Sequence, residues 1–387
     1  MIRFDKRMKT KLFNYHLPKE LIAQSPATPR DHSRLLVYER KTEKIIHDKF
    51  FNLKKYLQPN DVLVFNNTKV FPARLILKKN TGGKVEILLL KDLGQGKWEC
   101  LLGGRRIKEN LELSPARLRP SDHQGPPVLL DYGGQASSFL PEKHNQIKCK
   151  VLNKLKGGRW IVRFNLAGKE LEKFLNQHGQ TPTPPYIKKK SRLDKYQTIY
   201  ARYTGSVAAP TAGLHFTKKL LKELNKFGVQ QEFITLHVGL GTFAPVKTKE
   251  IEDHHIHAEF ASLDKQTCQR LNKAKEQGKK VIAVGTTSVR VLETASDANG
   301  KLKPLNGWIN LFIYPGYKFK FVDGIITNFH LPKSTLLMLV AAFVDQEKNF
   351  ANSPNKNYGT QKILEVYKEA IKKNYRFYSF GDAMLVL

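Results

Sequence analysis

Cysteine is scarce in this 387-residue chain: Cys100, Cys149 and Cys268 stand far apart and form no C-x-x-C pair. A disulfide framework, a zinc ribbon and a cysteine-held iron–sulfur cluster are therefore not supported, and reduced, structural thiols are expected. Long apolar runs are also missing. The longest, Leu336 to Val344, falls far short of the ~20 residues that span a bilayer, and "MIRFDKRMKTKLF" contains no apolar stretch of signal-peptide length. A cytoplasmic protein without a membrane partner is expected. Acidic residues are the third shortage: 34 Asp+Glu against 66 Lys+Arg leave a net charge of +32. Such a surplus points to a polyanionic partner, although a solvated lysine-rich face accounts for charge as well. Lys188 to Lys190 in "PPYIKKKSR" and the pair in "AIKKNYR" sit among aromatics, as cations on nucleic-acid surfaces often do.

Glycine is absent where a triphosphate loop would need it. "TNFHLPKST" (327–335) ends like a Walker A motif, but Thr327 and Pro332 occupy the two glycine positions, so the usual phosphate cradle cannot form. What remains is a strand "GIITNF", a turn, and Ser334 or Thr335 capping the apolar helix that follows. Such a helix start suits a carboxylate or phosphate, or is an ordinary capped core helix.

The length suggests two or three domains. The fold class expected is α/β: a mixed or mostly parallel sheet domain with an inserted small antiparallel β-barrel. Residues 1–60 read as a short helix in "LPKELIAQSP" followed by a hairpin turning near Arg40–Glu43. From Asp61 the texture changes to short β-type runs, "DVLVFNN", "VFPARLILKK", "KVEILLLK", "KWECLLGG", "IKCKVLNKL" and "RWIVRFN", with a long Pro/Gly/Ser-rich loop carrying one added strand between them. These mark the insert as 61–168, leaving 1–60 plus 169–387 as a discontinuous catalytic domain. Later, "KELEKFLNQHG" reads as a helix ending at Gly179, and "LHFTKKLLKELNKFG" as one capped by Thr217 and stopped by Gly228. Strands "VQQEFITLHVG" and "KKVIAVG" flank the helix "LDKQTCQRLNKAKEQG", which argues for a βαβ unit.

Several segments carry candidate chemistry. "VGTTSVRVLETA" repeats the strand-to-helix turn with Thr286, Thr287, Ser288 and Arg290; two hydroxyl-rich turns in one sheet favour ligands at the carboxyl ends of its strands. "GLGTFA", with Gly239, Gly241 and Thr242, lacks the helix of a dinucleotide site and reads as a glycine turn that lets backbone approach a ligand. "DHHIHAEF" places Asp253, His254, His255, His257 and Glu259 together, without metal-ligand spacing but with acid–base capacity near neutral pH. "YARYTGSVAAPTAGLHF", containing Thr211 and His215, is an irregular ordered loop of a functional kind or a domain linker.

These stretches, with "YHLPKELIAQSPATPRDHSRLLV", "TLHVGLGTFAPV", "LFIYPGYKFKFVDGIITNFHLPKSTLLMLVAAF" and "YRFYSFGDAML", run in order along essentially the whole chain; 103–148 matches least. Together they resemble the S-adenosylmethionine:tRNA ribosyltransferase-isomerases of queuosine biosynthesis. The resemblance implies that S-adenosylmethionine is a co-substrate and that no metal or prosthetic group is needed. Its ribosyl moiety would pass to 7-aminomethyl-7-deazaguanine at the tRNA wobble position and rearrange to epoxyqueuosine, releasing adenine and methionine. An α/β domain with an inserted β-barrel is implied as well, and a monomer is expected. His237, His254, His257 and His330 are then the candidate proton carriers, with Asp253 or Glu259 as an alternative acid for the departing adenine. Thr286, Thr287, Ser288, Arg290, Lys333, Ser334 and Thr335 suit the methionine carboxylate and ribose hydroxyls. Tyr200, Arg202, Tyr203 and Tyr314 suit an unstacked base, and Gly239, Gly241, Thr242, Gly316, Asn328, Thr211 and His215 complete the expected substrate-binding set. A non-catalytic RNA-binding protein and an S-adenosylmethionine-dependent RNA methyltransferase are the competing readings.

Overall fold

The computed structural model describes residues 7–115, 147–189, 191–239, 245–346 and 357–387. The chain divides into two compact units, Phe71–Pro182 and the remainder, Met1–Val70 with Thr183–Leu387.

The larger unit is built on a nine-stranded sheet in the order β15-β13-β12-β3-β14-β16-β17-β1-β2. Its strands are β1 (Arg34–Glu39), β2 (Lys44–Lys49), β3 (Val62–Asn66), β12 (Gln230–Leu236), β13 (Glu259–Leu263), β14 (Val281–Val284), β15 (Leu305–Ile309), β16 (Gly324–Asn328) and β17 (Ala383–Val386). Strands β12, β3, β14 and β16 run parallel, and both flanks add antiparallel partners. Burial follows position. The central strands VLVFN, VIAV and GIITN are buried at every residue, whereas the edge strands β2 and β15 are partly exposed. That is why the parallel strands read as unbroken apolar runs.

Alternate residues of each strand feed two cores on opposite faces. Val62, Val64, Ala283 and Ile325 join one core with α3 (Lys265–Glu276), α4 (Thr286–Ala295), α5 (Thr335–Asp345) and α6 (Tyr358–Lys372). Leu63, Phe65, Ile282 and Ile326 join the other, against Phe50, Leu53 and the apolar face of α2 (Lys218–Lys226). Thr217 caps α2 by accepting from the Leu220 amide, and Gly228 ends it at φ +101°, a conformation that favours glycine. A short separate ribbon pairs β4 (Thr68–Val70) in parallel with β11 (Tyr203–Ser206), giving the supposedly irregular 200–216 loop a strand of its own.

The smaller unit holds a closed antiparallel barrel in the order β10-β7-β6-β5-β8-β9. It comprises β5 (Arg74–Lys79), β6 (Lys84–Gly94), β7 (Lys97–Gly103), β8 (Glu112–Pro115), β9 (Cys149–Lys154) and β10 (Arg159–Phe164), followed by α1 (Gly168–His178), which ends at Gly179. Cys100 and Cys149 are buried free thiols here, and desolvation pushes the Cys100 thiol up to about 12.

Three expectations need correction. The insert begins at Phe71, not at residue 61, because β3 pairs with β12 and β14 at the centre of the main sheet; it extends past 168 to include α1. "LPKELIAQSP" forms only the single turn Lys19–Leu21, since the Ala23 amide is drawn into a backbone bond with Phe377. Strand β13, hidden in "HAEFASL", intervenes between the two expected βαβ strands. The long loop assigned one added strand lies largely outside the described residues.

Candidate active site

Parallel strands end on one side of a sheet, so β12, β3, β14 and β16 deliver their following residues to a common edge. The Asn66 side chain extends the β3–β12 pairing beyond its last rung: its amide donates to the Leu236 carbonyl (3.0 Å) and its oxygen accepts from the Leu236 amide (3.0 Å). The buried Ser206 hydroxyl accepts from the Val238 amide at 2.8 Å and so fixes the stretch after β12. His237, between these anchors, has Nδ1 2.8 Å from the Thr68 hydroxyl and stacks on Phe260 with centroids 6.0 Å apart. Gly205, at φ +152°, lies against the imidazole so closely that a Cβ there would sit 2.7 Å from Nε2. Burial lowers the His237 pKa below its ordinary 6.5, leaving a neutral ring able to accept a proton at neutral pH. Among the described residues, no hydrogen bond engages its Nε2.

Two residues after His237, the Gly239 amide leads to a buried ion pair. Arg290, on the first turns of α4, donates through Nη1 to the Glu259 carboxylate and through Nε to the Leu311 carbonyl at 3.1 Å. Glu259 also accepts from the Gly239 amide at 2.7 Å, which ties the end of β12 to α4. Both charged side chains are about 95% covered (5% and 6% exposed), so mutual hydrogen bonding is what makes their burial tolerable. The arrangement leaves donors over. Arg290 Nη2 and, three residues earlier, Thr287 Oγ1 are buried without a partner among the described residues. The start of α4 has no side-chain cap: Gly285 stands there at φ +89°, and a Cβ on it would approach Thr287 Oγ1 to 3.4 Å and Ala212 to 3.7 Å. Uncapped amides and spare donors together form a place for a polar or anionic ligand group. Thr286 is buried beside them, whereas the Ser288 hydroxyl is engaged by the Val284 carbonyl (2.9 Å).

In the turn between β16 and α5, the side chains of Asn328, His330 and Ser334 are all engaged. Ser334 caps α5, accepting from the Leu337 amide at 3.2 Å while donating to the Leu331 carbonyl at 2.8 Å. His330 Nε2 lies 2.8 Å from the Thr327 hydroxyl, its amide donates to Tyr367 Oη at 3.0 Å, and its carbonyl accepts from Tyr15. Desolvation takes its pKa down to about 3, so the ring stays neutral. His330 and Ser334, expected as proton carrier and ligand donor, both make hydrogen bonds within the fold. Asn328 accepts from Thr211 Oγ1 (3.0 Å) and donates to His215 Nε2 and the Tyr378 carbonyl (3.2 Å each). Because Nε2 accepts, the His215 proton sits on Nδ1 and points to Ser33 Oγ at 2.8 Å; burial lowers this histidine to about 4. Lys333 adopts φ +57°, with its carbonyl taken by the Val246 amide at 2.9 Å, and Thr335 is buried.

The remaining expected residues are more scattered. His254 is half-buried, edge-on to Phe312 at 5.4 Å and lowered in pKa chiefly by desolvation; His255, His257 and Asp253 are exposed, and Asp253 pairs with Arg7 at 3.0 Å. No group of three or more His, Cys, Asp or Glu among the described residues could hold a metal ion. Tyr200 packs on Phe65 (4.9 Å), with its buried hydroxyl unpartnered among the described residues. The Arg202 guanidinium lies 5.2 Å over the exposed Tyr203 ring, and Tyr314 packs on Phe312 at 5.1 Å; Gly316 stands in open space. Gly241 and Thr242 lie outside the described residues, as does Lys190. Thr68, Phe260 and Leu311 were not anticipated. Only Thr68 left a trace in the sequence, as part of the polar N-N-T that interrupts an apolar strand.

Comparison with known proteins gives this geometry a context. Residues 10–386 match the family model described as Queuosine biosynthesis protein. The chain is 48% identical over 382 residues to the S-adenosylmethionine:tRNA ribosyltransferase-isomerase of Carboxydothermus hydrogenoformans, covering 98% of this chain and 100% of that one. A protein of the same name from Thermoanaerobacter sp. is 46% identical over 383 residues, again covering 98% and 100%. Among solved structures, the chain is similar to the S-adenosylmethionine tRNA ribosyltransferase of Thermotoga maritima, with 35% identity, coverage of 97% and 100%, and a TM-score of 0.50. With the family model and full-length relatives agreeing from end to end, the chain belongs to the queuosine biosynthesis protein family.

Proposed function

We propose that the chain is an S-adenosylmethionine:tRNA ribosyltransferase-isomerase whose chemistry takes place at the carboxyl ends of β12 and β14. The observation that carries the site is the pair of unpartnered buried donors, Thr287 Oγ1 and Arg290 Nη2, on the helix that holds the Glu259–Arg290 pair; His237, lowered in pKa by burial, lies two residues before the Gly239 amide that donates to Glu259. A methionine carboxylate or ribose hydroxyl on these donors would satisfy groups that are otherwise costly to leave buried. The adjacent sulfonium acidifies the ribose carbon next to it, so a neutral imidazole such as His237 is a sufficient base. Glu259, held by Arg290 and the Gly239 amide, fixes the floor of the site; His254, half-buried against Phe312, is the candidate for returning a proton to adenine. The tRNA would present its 7-aminomethyl-7-deazaguanine unstacked, with phosphates met by the positive excess of +32.

Mass spectrometry of nucleosides from tRNA bearing that base, incubated with the protein and S-adenosylmethionine, tests the function directly. Epoxyqueuosine with stoichiometric adenine and methionine is expected. A gain of one methyl would make the protein a methyltransferase, and an unchanged nucleoside would leave only RNA binding.

A further inference from the structure

Helix α4 continues past the candidate active site. Arg290 is followed at three and four residues by Glu293 and Thr294, which share its face of the helix. These two line a cleft of about 530 Å³ together with Trp308, Leu311, Lys318 and Lys320. The cleft adjoins the active site through shared residues: the Leu311 carbonyl that borders it accepts from Arg290 Nε. The β13–β15 register sets Glu259 opposite Ile309, another lining residue, and Phe260 opposite Trp308. Phe260 therefore touches the active-site histidine on one side and the cleft's indole on the other, at 6.0 Å and 5.9 Å.

The chemistry of the lining is specific in kind. Trp308 stands on edge strand β15, 55% exposed, with its ring steadied edge-on by Phe260. Lys320 gives one N–H to the Ser296 carbonyl (2.6 Å), which leaves two of its three donors, and Lys318 is exposed. The one carboxylate in the lining offers these lysines little, because Glu293 already accepts from the amides of Lys320, Phe321 and Val322 and from the Tyr317 hydroxyl. Thr294 Oγ1 is buried with no partner among the described residues. A flat aromatic, two ammonium groups and an unsatisfied hydroxyl call for a ligand with a planar ring, an anionic group and a hydrogen-bonding edge. A nucleotide has all three, and base stacking on an aromatic beside lysines is how single-stranded RNA is commonly held.

We propose that this cleft receives a nucleotide of the anticodon loop adjacent to the one being modified, with its base on Trp308 and its phosphate on Lys318 and Lys320. The inference rests on the ribosyltransferase reading: an RNA that delivers one base to the Glu259–Arg290 site must lead its chain away across the neighbouring surface, and the cleft is that surface. It explains how one base is drawn out of a stacked loop: the next nucleotide acquires a replacement stacking partner on the protein.

The probe is an anticodon stem–loop RNA carrying 7-aminomethyl-7-deazaguanine. Trp308→Ala is expected to weaken its binding about tenfold and raise its KM equally, with the KM for S-adenosylmethionine at the wild-type value; Trp308→Phe retains most of the affinity. Lys318→Glu weakens binding further and flattens the salt dependence, a result that survives any folding defect of the tryptophan variant. Stem–loop affinity within twofold of wild type in both Trp308→Ala and Lys318→Glu overturns the proposal, as does a change of oligomeric state in place of a change in RNA affinity. Failure of the underlying function reads differently, since the unmodified protein would then form no epoxyqueuosine at all.

Discussion

The two strand-to-helix turns look alike in sequence and differ in what they have left to offer. After β16, Ser334 caps its own helix, His330 is bound at its ring, amide and carbonyl, and Asn328 is saturated by Thr211, His215 and Tyr378. After β14, the helix start is uncapped and Thr287 Oγ1 and Arg290 Nη2 have no partner among the described residues. Polar residues at a strand end thus serve either the fold or a ligand, and the number of their hydrogen bonds already made tells which. A buried donor left over is destabilising in the free protein, which makes it a sign of something that binds.

The largest effect expected from this contrast falls on Arg290. Arg290→Ala should leave Glu259 as an unpaired buried carboxylate, lowering stability by about 3–5 kcal/mol in a urea titration and ribosyl transfer by roughly 10²–10³. Arg290→Lys, which keeps the charge but not the fork, should recover part of the stability and little of the rate. The two histidines come next. His237→Ala should reduce kcat by about 10²–10⁴ with a small change in urea midpoint, while His330→Ala should destabilise by about 1–3 kcal/mol and leave the rate per folded molecule near wild type. The reverse pattern would exchange the roles of the two turns.

Acid should act through the engaged turn. His330 and His215 stay neutral in the fold down to about pH 3 and about pH 4, whereas in the unfolded chain they take up a proton near 6.5. Between those limits the unfolded state binds more protons, so stability falls as pH drops from about 6.5 toward 4, by about 3 kcal/mol for each group. Urea midpoints measured across that range should show the loss, and His215→Gln should flatten it. The smallest pair of effects separates the turns most directly. Ser334→Ala should cost about 1 kcal/mol of stability with an unchanged KM for S-adenosylmethionine; Thr287→Val should raise that KM roughly five- to tenfold at unchanged or slightly higher stability.

Much of this was legible in the chain. Unbroken apolar runs announced the buried strands β14 and β16, and Thr217 and Gly228 marked the ends of α2. Both hydroxyl-rich turns were visible, as were Arg290, Glu259 and His237. The domain boundary was displaced because β3, a central parallel strand, has the same local texture as the barrel strands that follow it, and only its pairing with β12 and β14 distinguishes them. Phe260 and Trp308 carried no signal, since their importance comes from strand register rather than from neighbouring letters.

By itself the sequence determined which residues could do chemistry, where strands and helices alternate, and which family the whole pattern resembles, because periodicity, caps and ordered motifs are properties of the chain. Tertiary structure alone decided which polar groups remain unengaged. That depends on partners hundreds of residues away, such as Tyr15 on His330 or Ser33 on His215, and a hydrogen bond made across the fold removes a donor or acceptor that the local sequence still displays.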